Sequence, residues 1–371
     1  MVNLATTSRQ LKFSSGVVLV GLLGLIVGCG GSTGGGSTTG LTSSTGGGSG
    51  LYQIPVDRGN VSNGIITVLP SGQMVGDDGA GHGLYWSSPS ANPQTMSGGI
   101  PLGLGLVGGQ VKVVGHSTGS TITALLWSTP TGSPTLLATP VGDWSFAFDI
   151  NSSGEIAGKI ESSPSLNPVD NAVVWTSVST SVNLPGTGGS STFVGQAAAI
   201  FDDETIVGSD GTVWANKAAT PTNNMPTSLS SAPMEFNKTA GGFGISYFYL
   251  PADIAHSRVT VAAKTGSTFS TGNLANPSGD IYAVIAGIAP NDWVLGSGQP
   301  GSGPNPNLAT GFIWKTLAGA PVSADSLVPN LNGWHITSVD FGFSDGSLMV
   351  EGTKASVDSG NTHYLLLLPK P

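Results

Sequence analysis

The sequence has little charge: only 9% of its 371 residues are Asp, Glu, Lys or Arg. Twelve basic residues against 21 acidic ones give a formal net charge of −9, which disfavours nucleic acid and anionic headgroups as partners. Cysteine is scarcer still. Cys29 stands alone, so neither an intramolecular disulfide nor a thiolate zinc site can form. The histidines, at 82, 116, 256, 335 and 363, show no pair at metal-binding spacing, and no metal or cofactor is expected. What is abundant is Gly (57) and Pro (24), with 39% apolar residues. That is a turn-dense composition, poor in helix formers but able to bury a core, and it predicts an all-β chain.

The N-terminus has its own logic. Arg9 and Lys12 precede "GVVLVGLLGLIVG" at 16–28, which is 13 residues long, whereas a membrane-spanning helix needs ~20. A basic segment, a short apolar run and small residues at its end predict a secretory signal peptide over 1–28. The stretch that follows, "LIVGC" at 25–29, resembles the lipobox of bacterial lipoproteins. The resemblance implies that Cys29 is acylated and becomes the mature N-terminus, anchoring the protein to a membrane in the bacterial cell envelope. Gly30, in place of Asp, implies outer-membrane sorting by similarity to enteric lipoproteins. Residues 29–50 then read as a lipid-anchored flexible linker, with ten glycines between 30 and 50. A repeat domain is expected over 51–371.

That domain repeats itself. "VLPSGQMVG" (68–76), "DINSSGEIAG" (149–158), "AIFDDETIVG" (199–208), "GIAPNDWVLG" (287–296) and "GFSDGSLMVEG" (342–352) share a turn and a closing Gly. Looser copies are "GLVGGQVKVVG" (105–115) and "ADIAHSRVTVAAK" (252–264). In "FAFDINSSGEIAGK" (146–159), alternation places Phe146, Phe148, Ile150 and Ile156 on one apolar side of a hairpin, with Asn151 and Gly154 making the turn. Most units continue into a strand ending in Trp: "GLYW" (83–86), "ALLW" (124–127), "AVVW" (172–175), "GTVW" (211–214) and "GFIW" (311–314). A short fourth strand follows. The copies recur about every 46 residues, which predicts a β-propeller of seven, or six, four-stranded antiparallel blades. The last unit stops at "HYLLLLPKP" (363–371) without a fourth strand, and "LYQIPV" (51–56) has no partner in its own unit. Pairing Tyr52 and Ile54 beside Tyr364–Leu368 would close the ring.

The units also resemble the extracellular repeats named for a His-Ala-Phe signature. "DINSSGEIAG", "AVVW" and the terminal "HYLLLL" carry the similarity over roughly residues 60–371, although the His-Ala-Phe triplet itself is absent. The resemblance implies a secreted, propeller-like domain and brings no catalytic residues with it.

No catalytic residue is assigned from the sequence. "GHSTG" (115–119) matches a nucleophile elbow at Ser117, but "STITALLW" (120–127) follows it as a strand where the elbow requires a helix. Asp77, Asp78 and the "DDE" of 202–204 sit at hairpin turns, where Asp is favoured for turn chemistry. The connection from closing Gly to Trp varies, with 10, 12, 17, 6 and 18 positions in the clear repeats. Variable loops on a rigid scaffold are where binding resides. The binding candidates are therefore His82 and His116, Asn167 and Asp170 in the long loop 159–171, and Asn305 and Asn307 in the long loop 297–310. The expected function is a non-enzymatic module that binds an extracellular polysaccharide or an envelope protein through one loop face. The alternatives are a propeller glycan lyase or hydrolase, and a purely structural envelope component.

Overall fold

The computed structural model describes residues 50–60, 64–162, 170–186, 196–208, 212–222, 234–235, 243–246, 260–265, 268–274, 282–291, 293–299, 309–316, 319–357 and 361–371. Gly50–Pro371 form one compact unit. Cys29 and the linker up to residue 49 lie outside the described residues.

Among the described residues, seven antiparallel sheets follow one another along the chain as the blades of a β-propeller. A first strand, β1 (Val56–Asn60), precedes them. Blade 1 is β2 (Gly64–Val68), β3 (Met74–Asp77), β4 (Gly83–Trp86) and β5 (Gln94–Thr95); blade 2 is β6 (Gly99–Val107), β7 (Gln110–Ser117), β8 (Ala124–Trp127) and β9 (Thr135–Leu136). Blade 3 is β10 (Trp144–Ile150), β11 (Ile156–Glu161), β12 (Asp170–Ser177) and β13 (Thr180–Asn183). Blade 4 has three described strands, β14 (Ala197–Ile200), β15 (Ile206–Gly208) and β16 (Val213–Trp214), and a bridge from Val213 to Thr222 marks where its outer edge continues. Blade 5 is β17 (Met234–Glu235), β18 (Phe243–Ser246), β19 (Thr260–Thr265) and β20 (Thr268–Asn273); blade 6 is β21 (Tyr282–Ile288), β22 (Val294–Gln299), β23 (Thr310–Trp314) and β24 (Val322–Ser323). Blade 7 takes β25 (His335–Gly342), β26 (Leu348–Thr353) and β27 (Thr362–Leu367) from the end of the chain and β1 from its beginning.

A four-stranded sheet has apolar side chains on both faces and can bury them only against its neighbours. Accordingly the core is a series of layers between blades. Leu69, Val75 and Tyr85 of blade 1 meet Leu104, Val113 and Trp127 of blade 2. Val114 and Leu126 of blade 2 meet Ile150, Ile156 and Trp175 of blade 3. The seam of the ring is packed in the same way, with Ile65, Met74 and Trp86 of blade 1 against Phe341, Met349 and Leu366 of blade 7.

The repeated residues now have physical roles. Opposite the closing glycines Gly76, Gly115, Gly158, Gly208 and Gly296, the first strand of each blade carries a bulge. The bulge pushes a carbonyl toward the glycine. A Cβ on Gly76, Gly115 or Gly158 would overlap the carbonyl oxygen of Gly64, Ile100 or Phe146. In blade 7 the equivalent position is Val350, opposite Val339, and Gly352 lies two residues further along. The third-strand tryptophans act as stitches. Trp127, Trp175 and Trp214 donate Nε1–H to the carbonyls of Ser97, Ala138 and Pro185, at 2.9, 2.8 and 2.9 Å. Each acceptor lies on the segment by which the chain enters that tryptophan's own blade.

Three expectations are corrected. Simple alternation fails in β10, because the bulge between Ala147 and Asp149 shifts the register. Ala147 joins Ile150 and Ile156 in the apolar layer against Val114 and Leu126 of blade 2, while Phe146 and Phe148 share the other side and stack at 6.3 Å. The fifth copy is displaced by one strand: the "TVAAKT" segment is the third strand of blade 5, and the second is the short Phe243–Ser246, whose sequence lacks the repeat's turn. Ring closure uses residues slightly later than Tyr52 and Ile54. Val56, Asp57 and Asn60 pair with Leu366, Leu365 and His363, while Tyr52 makes a single bridge to Pro369 and Ile54 is exposed. Pro55 has no N–H to donate, so a ladder through Ile54 would be broken there.

Candidate functional site

The two ends of the propeller treat their polar residues differently. One end carries the tight turns between first and second strands, and there the "DINSSGE" residues are spent holding blades together. Asp149 Oδ2 accepts the amide of Ile200 at 2.8 Å, Asn151 Nδ2 donates to the Phe201 carbonyl at 3.3 Å, and the Ser152 amide donates to Asp202 Oδ1 at 2.8 Å. Lys217 of blade 4 pairs with Glu155 of blade 3 at 2.7 Å. At the seam the Ser344 amide donates to the Pro70 carbonyl at 2.7 Å.

The other end carries the connections from second to third strand, where the sequence places the binding candidates. In blade 1 Asp78 Oδ1 accepts the amides of Ala80 and His82, and its Oδ2 lies 2.7 Å from His82 Nδ1. The His82 amide and ring draw the Asp78 carboxyl down to about 2. His82 itself is exposed, as expected of a loop. His116 differs from that expectation: it sits in β7, half-buried, with its ring edge-on to Phe146 at 5.1 Å. Burial pushes its pKa down, and Nδ1 donates to the Ser117 carbonyl at 2.9 Å. Ser117 Oγ bonds within its own loop, donating to the Thr121 carbonyl and accepting the Thr123 amide at 2.9 Å. The chain turns from strand to strand there.

The supposed loop 159–171 is shorter than its sequence suggests, because β11 runs to Glu161 and β12 resumes at Asp170. Similarly β22 runs to Gln299 and β23 begins at Thr310. Asn167, Asn305 and Asn307 lie outside the described residues. Asp170 is therefore a strand residue, paired across the sheet with Glu161. Beside it lies a buried ionic cluster that the sequence did not disclose. Lys159 Nζ lies 2.9 Å from Glu161 Oε2 and 3.4 Å from Asp170 Oδ2, with Lys159 and Glu161 only 7% and 6% exposed in their side chains. Gln196 of blade 4 reaches Asp170 Oδ2 at 3.4 Å, and the ammonium stands 5.1 Å from the Phe146 ring centre. One cation serves two carboxylates. The contact to Glu161 lacks hydrogen-bond geometry, and Asp170 Oδ1 is buried without a hydrogen bond. The available signal was the alternation of "IAGKIE", which continues through Lys159 and Glu161 without a turn residue.

Two further histidines have carboxylate partners. His335 Nδ1 lies 2.8 Å from Asp325 Oδ2, and its Nε2 lies 2.9 Å from the Ala309 carbonyl. Both ring nitrogens face acceptors, so both carry protons, and the Asp325 bond raises the His335 pKa. His363 Nδ1 lies 2.9 Å from Asp57 Oδ1 across the ring closure. Among the described residues no group of three or more His, Cys, Asp or Glu is placed to hold a metal ion, and no helix is long and apolar enough to cross a membrane.

The chain matches no family model and no curated protein. Among solved structures it is similar to YCF48 bound to D1 peptide, at 11% identity and a TM-score of 0.46 over 86% of this chain and 96% of that one. It is also similar to a chain from an analysis of two prolyl endopeptidases, at 13% identity and a TM-score of 0.40 over 76% of this chain and 44% of that one. Likenesses this distant bring neither a ligand nor an activity to this chain.

Proposed function

We propose that this chain is a lipid-anchored extracytoplasmic propeller that binds an extracellular polysaccharide or an envelope protein without transforming it. The contact surface is the end carrying the second-to-third strand connections of blades 1, 2 and 3. The observation behind this reading is the asymmetry between the two ends. Polar groups of the tight turns of blades 3 and 4 are committed to inter-blade bonds, whereas the opposite end keeps the exposed His82–Asp78 pair and, in blade 3, the buried and incompletely hydrogen-bonded carboxylates of Glu161 and Asp170. Rigid strands place these groups, and loops of differing length surround them, which suits selective binding. Anchoring through Cys29 would hold that surface close to the envelope.

The test compares the full chain with a Asp78→Ala, His82→Ala double variant in pull-downs from envelope extracts and on a glycan array. Capture by the parent and its loss in the double variant support the reading. Capture unaltered by the two substitutions, or release of cleaved glycan, defeats it. Labelling with a fatty-acid probe tests the anchor separately: Cys29→Ala should abolish incorporation.

A further inference from the structure

A cleft of about 200 Å³ opens on the outer wall of the seam, where β1 of blade 7 meets the turn 87–93 of blade 1. Its lining runs from Met74 and Trp86, beside a tight turn, to Asn60, which pairs with His363, and it includes none of the loop residues of the function proposed above. Its floor is the small part of Trp86, Met74 and Tyr364 that the packing of the seam leaves uncovered, and the remaining lining is largely polar. Asp57, Arg58, Asn60 and Asn92 stand around it, and three of them, Asp57, Arg58 and Asn92, have hydrogen-bonding capacity left over. Arg58 spends only Nη2, which donates to the carbonyls of Ser90 and Ala91 at 2.7 and 2.8 Å. Its Nε and Nη1 donors remain available. Asp57 Oδ1 accepts the Gly59 amide and faces His363 Nδ1, leaving Oδ2 as an open acceptor. Asn92 is exposed at the rim and brings a donor and an acceptor together.

We propose that this cleft binds a single sugar ring, as a free monosaccharide or a terminal unit of a glycan. Size comes first: the cleft is smaller than the ~300 Å³ at which drug-sized ligand sites begin, which leaves room for one ring. The polar complement comes second. Neighbouring hydroxyls each donate and accept, so a polyol can satisfy a carboxylate, a guanidinium and a carboxamide at once. A zwitterionic amino acid would satisfy Asp57 and Arg58 and leave Asn92 without a partner. The floor comes third, because the edge of Trp86 left uncovered there suits the C–H face of a saturated ring. Arg58 is also pre-positioned: two backbone carbonyls already fix its guanidinium, so little side-chain freedom is lost on binding.

The experiment is saturation-transfer NMR on the full chain with glucose, galactose, mannose and N-acetylglucosamine, each followed by a titration, and with leucine and phenylalanine as zwitterionic controls. At least one sugar should bind with a millimolar Kd. Asn92→Ala, at an exposed turn position, should weaken it about fivefold, and Arg58→Gln about tenfold or more. Both variants should retain the parental circular dichroism spectrum. If Arg58→Gln unfolds, Asn92→Ala alone decides. Binding of no sugar, binding unchanged in Asn92→Ala, or binding of the amino acids in preference to sugars overturns the proposal. Since none of these substitutions touches His82 or Asp78, failure here is distinct from failure of the loop-face reading.

Discussion

Replacing Gly158 by Ala tests why the repeat ends in glycine. The backbone there is extended, so conformational freedom is not the reason; space is. An added Cβ would overlap the Phe146 carbonyl oxygen and come within 2.7 Å of Trp175 Cζ3 and 3.1 Å of Ala147 Cα. Two of those three obstacles are backbone atoms held by the bulge, and the third belongs to a fully buried indole hydrogen-bonded to Ala138. Relief requires opening the β10–β11 pair. Overpacking a rigid site costs roughly 1–3 kcal/mol, and a backbone obstacle places this substitution at about 3 kcal/mol. The internal control is Gly154→Ala in the same hairpin. Gly154 has φ +88 and its added Cβ would meet only Val107 Cγ1 at 3.4 Å, so the cost is the left-handed backbone alone, about 1 kcal/mol. Urea unfolding of parent and both variants, fitted for midpoint and slope, gives the comparison. If Gly158→Ala costs no more than Gly154→Ala, the close-approach account of the repeat's final glycine is wrong.

Other outcomes follow from neighbouring features. Glu204 occupies the position of Gly154 in blade 4 and has φ +66, so Glu204→Gly should stabilise by about 1 kcal/mol and raise Tm; a fall would show that the 3.7 Å contact to Lys217 outweighs the backbone strain. Deleting 51–60 should destabilise the domain by about 4 kcal/mol or more and promote association, since it exposes β27 and removes both the buried Tyr52 and the carboxylate facing the buried His363. A truncated protein melting like the parent would rule out closure by β1. The raised His335 pKa makes its contribution fully present below the unfolded value of 6.5 and lost as pH rises through the folded value, so His335→Gln should flatten the fall of Tm on the alkaline side of that value. His116 runs the other way: its lowered pKa makes stability fall as pH drops below 6.5, and His116→Phe should reduce that loss in the same melting series.

The propeller and its strand order are legible, and the blade number to within six or seven, because one hairpin and one tryptophan recur at a steady period, and because an unpaired strand at each end implies closure. The fifth blade is obscured in the sequence because no copy of the repeat's turn precedes Phe243–Ser246, which leaves the next β-branched run as the nearest imitation. Bulges are invisible to a count of two. Phe146 is therefore grouped by simple alternation with Ile150 and Ile156, whereas it is buried beside Lys159 and His116. In a Gly- and Ser-rich sequence the charges of Lys159 and Glu161 resemble those of a connection. Their burial depends on Asp170 and Gln196, distant along the chain, and no local pattern announces such partners.

The closure also orders events in time. Asp57 and His363 are separated by 306 positions, so the strand made first waits for the strand made last. Loop closure over so long a span is slow compared with forming hairpins within blades. Until residues 362–369 are free to pair, blade 7 lacks its outer strand, however well the earlier blades have formed. The cleft beside Arg58 does not exist before that step, because β1 forms one of its walls. A ligand held there would bind only the finished ring, and its occupancy would report the last event of folding.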